Sequence, residues 1–238
     1  MTSNQRLDGC IALITGASRG IGRTLALALA REGAEIIALA RTVGALEELD
    51  DEIAALGSKA TLVPLDIRDF DAIDRLGADI AKRWKRLDIL IGNAGVLGPV
   101  SPVPHISPEN WQEVIDVNLT ANYRLIRSMD PLLRASDAGR AVFISSGVAK
   151  NARPFFGGYA TSKAALAMLV RTYALECEKT KLKVNLLNPG PMRTKMRAAA
   201  FPGEKPETVP APDELVPLLL KLVDPDLQET GQTFDFKS

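Results

Sequence analysis

The sequence has little of what many catalytic and metal sites are built from. It holds two cysteines, Cys10 and Cys177, and one histidine, His105. No cluster of thiols and imidazoles surrounds any of them, which argues against a metal site and a histidine-dependent triad. Both cysteines read as buried thiols, and His105 as a surface or pocket-rim residue. No run approaches the ~18 apolar residues of a membrane span. The opening "MTSNQRLDGC" has no basic segment followed by an apolar stretch, so a cytoplasmic protein is expected. Neither charge is in excess: 29 Lys plus Arg face 29 Asp plus Glu, leaving no basic field for nucleic acid or an anionic membrane. Internal repeats and low-complexity tracts are missing too. Small molecules are the partners that remain.

What is present is an ordinary globular balance, 238 residues with 46% hydrophobic and 24% charged, sufficient for one well-buried domain. Short apolar runs alternate with longer helical patterns. Strands are expected at 10–15, 35–40, 60–65, 87–92, 140–145, 183–188 and 232–236, and helices at 21–32, 43–56, 69–84, 108–134, 159–179 and 212–223. This is the pattern of βαβ units, and it predicts an α/β fold: a single Rossmann-type domain with a seven-stranded parallel sheet covered by helices on both faces. Residues 191–211 are proline-rich and aperiodic. They read as a lid over a site within that one domain, since too little chain follows to form a second core.

Directly after the first strand comes "TGASRGIG", with Gly16, Gly20 and Gly22 leading into a helix. Glycines there allow a tight turn, a close approach of backbone N–H groups to a pyrophosphate and close packing of helix on strand, with the positive helix end facing the phosphates. A glycine-rich turn without a ligand is the plain alternative, but the position in the first βα unit favours a dinucleotide. An acidic residue at the end of the second strand would select NAD. Here stand Ala40, Arg41 and Thr42, and Arg41 falls 19 residues after Gly22 (41 − 22), near the usual offset. Arg41, with Arg19 in the glycine loop, offers guanidinium donors to a 2′-phosphate, which predicts NADP(H) in preference to NAD(H). Both arginines have a plainer reading as solvated surface charges.

In "GYATSKAALAMLV", Tyr159 and Lys163 are four apart and share one helix face. A nearby ammonium favours the phenolate and is expected to draw the tyrosine pKa down toward the working range, making a proton donor and acceptor for a carbonyl oxygen. A packed tyrosine and a snorkelling lysine would give the same pattern.

Taken with the rest of the chain, these motifs resemble the short-chain dehydrogenase/reductase family, in a bacterial-type, NADP-preferring form. "TGASRGIG", containing Ser18 and Ile21, resembles its cofactor loop, and "LDIR" the segment whose Asp66 and Ile67 border the adenine. "GNAG" resembles the family's N-N-A-G turn, with Asn93, Ala94 and Gly95 kept and Gly92 in place of the first Asn. "DVNL" carries Asn118, "ISS" precedes the tyrosine, and "NPGPMRT" resembles the segment that holds the nicotinamide through Pro189, Gly190 and Thr194. The resemblance implies a catalytic set. Tyr159 would exchange the proton, Lys163 would hold the nicotinamide ribose, Ser146 would orient the substrate carbonyl, and Asn118 would position a relay water. The family's serine lies thirteen residues before the tyrosine (159 − 13 = 146), which selects Ser146 over Ser145. It further implies an oxidoreductase that moves hydride between NADP(H) and a carbonyl or secondary alcohol, assembled as a homodimer or homotetramer. A related epimerase or dehydratase, and a non-catalytic cofactor-binding module, are the rival readings. Phe155, Phe156, Met192, Met196 and Phe201 suggest an apolar substrate, and Arg153, Arg193, Lys195 and Arg197 an acidic one; the sequence does not choose between them.

Overall fold

The central strands are short β-branched and leucine-rich runs whose residues are buried on both faces, as a parallel sheet between two helical layers requires, while the two edge strands are only partly buried. The computed structural model describes residues 5–236; the first four residues of the N-terminal segment and the last two of "TGQTFDFKS" lie outside the described residues. Seven strands are found, β1 Ile11–Thr15, β2 Glu35–Ala40, β3 Ala60–Pro64, β4 Ile89–Gly92, β5 Arg140–Ile144, β6 Lys183–Asn188 and β7 Thr233–Asp235. All pair in parallel in the order β3-β2-β1-β4-β5-β6-β7.

Period-two alternation sends successive side chains into two cores. Leu13, Ile37, Leu39, Leu90 and Phe143 meet α3 Phe70–Trp84, α5 Ala121–Arg134 and α6 Gly157–Glu176 on one face. Ile14, Ile36, Ala38, Ile91 and Val142 meet α1 Gly20–Arg31, α2 Val43–Ala55 and α8 Val216–Leu222 on the other. Each fully buried Leu, Ile or Phe contributes about 1.5–3 kcal/mol relative to exposure.

Local signals set the helix ends. Asp69 accepts from the Ala72 N–H to start α3, and Ser107 accepts from the Asn110 N–H, followed by Pro108, to start α4 Pro108–Ile115. The expected helix 108–134 is interrupted: a π-helical turn, Asp116–Thr120, separates α4 from α5 and contains Asn118. Two further differences concern the C-terminal third. Residues 191–211 are not irregular throughout, because Thr194 caps a short helix, α7 Lys195–Ala200, by accepting from the Arg197 N–H. The 212–223 segment opens as a 3-10 turn, Pro212–Leu215, before α8. Cys177 is buried and Cys10 half-buried, each a free thiol.

Candidate active site

At the carboxyl ends of the strands, where the order reverses between β1 and β4, lies a cavity of about 760 Å³. Such switch points are where open α/β sheets hold ligands. Ser146, Tyr159, Lys163 and every residue expected to touch a cofactor line it; Asn118 does not.

The glycine loop is shaped by sterics. Gly16 and Gly20 have φ of +66° and +54°, a region that other residues seldom enter. A β-carbon at Gly22 would stand 2.3 Å from the Gly16 carbonyl oxygen and 2.4 Å from Asn93 Nδ2, so only glycine lets α1 begin there. Thr15 and Asn93 join this loop to the turn after β4. The Thr15 hydroxyl accepts from the N–H groups of Asn93 and Ala94, each at 3.0 Å, and Asn93 Nδ2 donates to the Thr15 carbonyl at 2.8 Å. Nothing in the sequence beyond its place in "TGASRGIG" pointed to Thr15. A β-carbon at Gly20 would lie 3.5 Å from Thr194 Cγ2, so the 188–194 segment closes directly on the loop. In that segment Pro189 is buried, and Gly190 has φ +64° and donates its N–H to Asn188 Oδ1 at 3.2 Å.

Along the rim past β2 and β3, Arg41 is exposed and 3.8 Å from Asp66. Arg19 is exposed too, at the start of α1. Asp66 receives Arg68 through Nε and NH2 at 3.1 and 2.7 Å, and these bonds hold its carboxyl down at about 2, charged at any physiological pH. Ile67 beside it is buried.

The chemical end is built by β5, the 3-10 turn Gly147–Ala149 and the first turn of α6. Ser145 continues the strand, donating its N–H to the Leu187 carbonyl at 2.8 Å. Ser146, next along, lines the cavity with Tyr159. Lys163 is buried on the same face of α6, its Nζ donating to the Ile144 carbonyl at 2.8 Å and lying 5.9 Å from the Tyr159 ring centre. One sequence expectation is corrected here. Tyr159 has its pKa raised, because burial of the phenol outweighs the opposing hydrogen bond from Ser146. The Lys163 ammonium is directed at a backbone carbonyl, and its own burial lowers its pKa to about 8.

Asn118 is fully buried behind the cavity wall. Its Oδ1 accepts from the Val96 N–H, and its Nδ2 donates to the Val96 carbonyl and to Ser162 Oγ, all at 2.9 Å. The widened π turn presents that amide, which ties the loop after β4 to α6. Of the secondary readings, Phe156 is buried on the cavity, whereas Phe155 points out with φ +71°. His105 is exposed in a 3-10 turn away from the cavity lining. Trp84 packs on the core, while Trp111 is more exposed than a packing residue would be. Among the described residues no group of acidic, His and Cys side chains is arranged to hold a metal, and no helix is long and apolar enough to cross a membrane.

The chain is similar to several known proteins over nearly its whole length. The short chain dehydrogenase family model matches residues 10–205. The uncharacterized oxidoreductase YciK of Escherichia coli K12 is 40% identical over 233 residues, covering 96% of this chain and 92% of its own. An uncharacterized NAD-dependent oxidoreductase of Mycobacterium tuberculosis, MT0715, is 38% identical over 204 residues, covering 80% of this chain and 74% of its own. Among solved structures, a short chain dehydrogenase of E. coli CFT073 complexed with NADPH superposes with a TM-score of 0.94 at 39% identity, covering 98% of both chains. A glycine loop that only glycine can form, a tyrosine and lysine on one helix face and this breadth of similarity lead to one conclusion: the chain belongs to the short-chain dehydrogenase family of oxidoreductases.

Proposed function

We propose that this enzyme reduces a carbonyl compound, or oxidises the corresponding secondary alcohol, with NADP(H) as its preferred coenzyme and Tyr159 as the proton donor and acceptor. The observation that carries the reading is the convergence of Ser146, Tyr159 and Lys163 on a cavity whose other end is the glycine loop. The residues fit a dinucleotide. Gly16, Gly20 and Gly22 leave a side-chain-free cradle at the start of α1, bordered by Ser18 and Ile21, where backbone donors meet phosphate. Asp66 and Ile67 would flank the adenine, Arg41 and Arg19 the 2′-phosphate, and Asn93, Ala94 and Gly95 the middle of the molecule. Pro189, Gly190, Thr194 and Lys163 would hold the nicotinamide end. When bound, the coenzyme supplies the hydride.

The residues of the chain place the substrate and handle the proton. Ser146 holds the substrate oxygen beside the Tyr159 hydroxyl. Burial raises the tyrosine pKa, so at neutral pH the hydroxyl holds the proton that it donates to a carbonyl oxygen in the reductive direction. Asn118 fixes the Val96 loop and Ser162 rather than the reacting atoms. The 191–211 segment acts as a lid, its residues Met192–Arg197 lining the cavity. Tyr123 on α5 and Met168 and Leu175 on α6 are 49%, 63% and 71% exposed, which supports pairing of copies through these two helices as a homodimer or homotetramer.

Fluorescence titration with NADPH and NADH, together with turnover of carbonyl compounds, tests the proposal. The wild type binds NADPH more tightly, and Arg41→Asp reverses the order. Tyr159→Phe retains binding and loses about 10²-fold or more in kcat. An unchanged coenzyme ratio in Arg41→Asp refutes the preference, and unchanged turnover in Tyr159→Phe refutes the role of the tyrosine.

A further inference from the structure

The substrate end of the cavity carries a charge pattern that the hydride-transfer reading does not use. Among the described residues lining the cavity, the only carboxylate is Asp66, which stands beside Arg68 at the β3 end. The 151–156 and 193–197 segments contribute Arg153, Arg193, Lys195 and Arg197. Two of these guanidinium groups stack on one ring: the Arg197 and Arg153 guanidinium carbons lie 3.8 and 4.5 Å from the Phe201 centre. Phe201 in turn stacks on the buried Phe156, 5.9 Å away with 20° between the planes, and Arg153 also covers Phe156 at 5.4 Å.

The two arginines differ in what faces them. Arg197 is closed off by Glu204, with Nε and NH2 each 2.6 Å from a carboxylate oxygen. Arg153 is in no ion pair among the described residues; Glu204 feels its field, but is held first by its hydrogen bonds from Arg197. The backbone of Arg153 is fixed by its surroundings. Its carbonyl accepts from the Phe156 N–H at 3.3 Å, and the Phe155 carbonyl accepts from the Ser101 N–H at 3.0 Å, while Phe155 is held at φ +71°. A bulky residue kept in that region marks a loop whose shape is imposed by its contacts. α6 then carries the chain from Phe156 to Tyr159 within one turn.

From these contacts we infer that the substrate is an organic acid, in which a carboxylate paired with Arg153 is joined to a flat apolar body lying along Phe156 and Phe201. The inference rests on the hydride-transfer reading and names the substrate class for it. An unpaired planar fork of donors, prealigned by two rings at the mouth of a cavity lined by further cations, matches a carboxylate in shape and charge. The rings and Met192 would take the apolar part.

The test compares para-acetylbenzoate with its methyl ester as ketone substrates, with NADPH, in the wild type, Arg153→Met and Arg153→Lys. The wild type prefers the acid in kcat/KM by about tenfold or more. That preference collapses toward one in Arg153→Met through a higher KM for the acid, and returns in part in Arg153→Lys. Equal use of acid and ester by the wild type, or a preference that survives in Arg153→Met, overturns the inference and leaves hydride transfer standing. If neither ketone turns over, calorimetric titration of naphthoate into the NADPH-loaded protein decides. Binding that weakens about tenfold in Arg153→Met upholds the carboxylate site and leaves the choice of ketone at fault, whereas no binding, or binding indifferent to Arg153, overturns the inference.

Discussion

The Lys163 ammonium donates to the backbone carbonyl of Ile144 at 2.8 Å, so the last residue of β5 and the second turn of α6 are joined through one buried charge. This lysine is placed where charge is costly, and only a few polar atoms soften that cost.

A pH dependence of stability follows. Burial lowers the Lys163 pKa from its ordinary 10.5 to about 8 in the folded chain. The fold therefore prefers the neutral amine, and the unfolded chain binds the extra proton between these two values. Stability consequently rises with pH across that window, the penalty on the charged form being present below pH ~8 and relieved above it. Tyr159, with its pKa raised, acts in the opposite sense only where a free tyrosine would ionise, near ~10. Urea unfolding of the ligand-free wild type and of Lys163→Met between pH 7 and 10 is expected to show the wild type gaining about 2 kcal/mol on the variant. A difference that stays flat with pH would remove the buried charge from the account.

Asn118→Leu keeps the branched shape and removes the bonds to Val96 and Ser162. It leaves buried backbone and hydroxyl groups unpaired, at a cost of about 2–4 kcal/mol. Because Gly95 and Val96 line the cavity, the KM for NADPH should rise more than kcat falls. Denaturation and steady-state kinetics on the same preparation check both.

Gly92→Ala tests the one departure from the N-A-G turn's usual partner. A β-carbon there would lie 2.4 Å from Phe143 Cδ1 and 2.6 Å from Asn122 Oδ1. The ring and the amide have taken the space that a side chain would need, so the substitution should cost about 1–3 kcal/mol. Thermal unfolding reads the change, and an unaltered melting temperature would contradict the packing described.

Arg140→Met should destabilise by about 3 kcal/mol or more while leaving the kcat of the folded fraction unchanged. Arg140 is 2% exposed, and its guanidinium serves the carbonyls of Gly139, Lys181, Asp224, Pro225 and Leu227, binding the start of β5 to the chain after α8. Chemical denaturation with activity measured on the same samples separates the two effects.

The strand and helix series was legible because most strands are apolar runs and every glycine of "TGASRGIG" has a steric task. The parallel sheet came from the α/β pattern, which left the order of its strands open. What stayed hidden has a common physical origin. The π turn at Asn118 has no periodic signature, since a single widened turn leaves the apolar face of 108–134 intact. Spacing placed Tyr159 and Lys163 together, but the sign of the tyrosine shift depends on burial and on where the ammonium points, and spacing carries neither. Thr15 and Ser162 act through hydrogen bonds to residues 78 and 44 positions away, which no local window contains.

The strand order has a consequence for synthesis of the chain. β1 pairs with β2 on one side and with β4 on the other, so its β4 edge stays unpaired until residues 89–92 have left the ribosome. Through that interval the Ile-Ala-Leu-Ile of β1 is an open apolar edge, the kind on which nascent chains associate. Asn93 and Ala94 directly follow β4, so the bonds that their N–H groups donate to Thr15 require β4 to be in place. Completion of the cofactor cradle and protection of the nascent edge are thus one event in the life of the polypeptide.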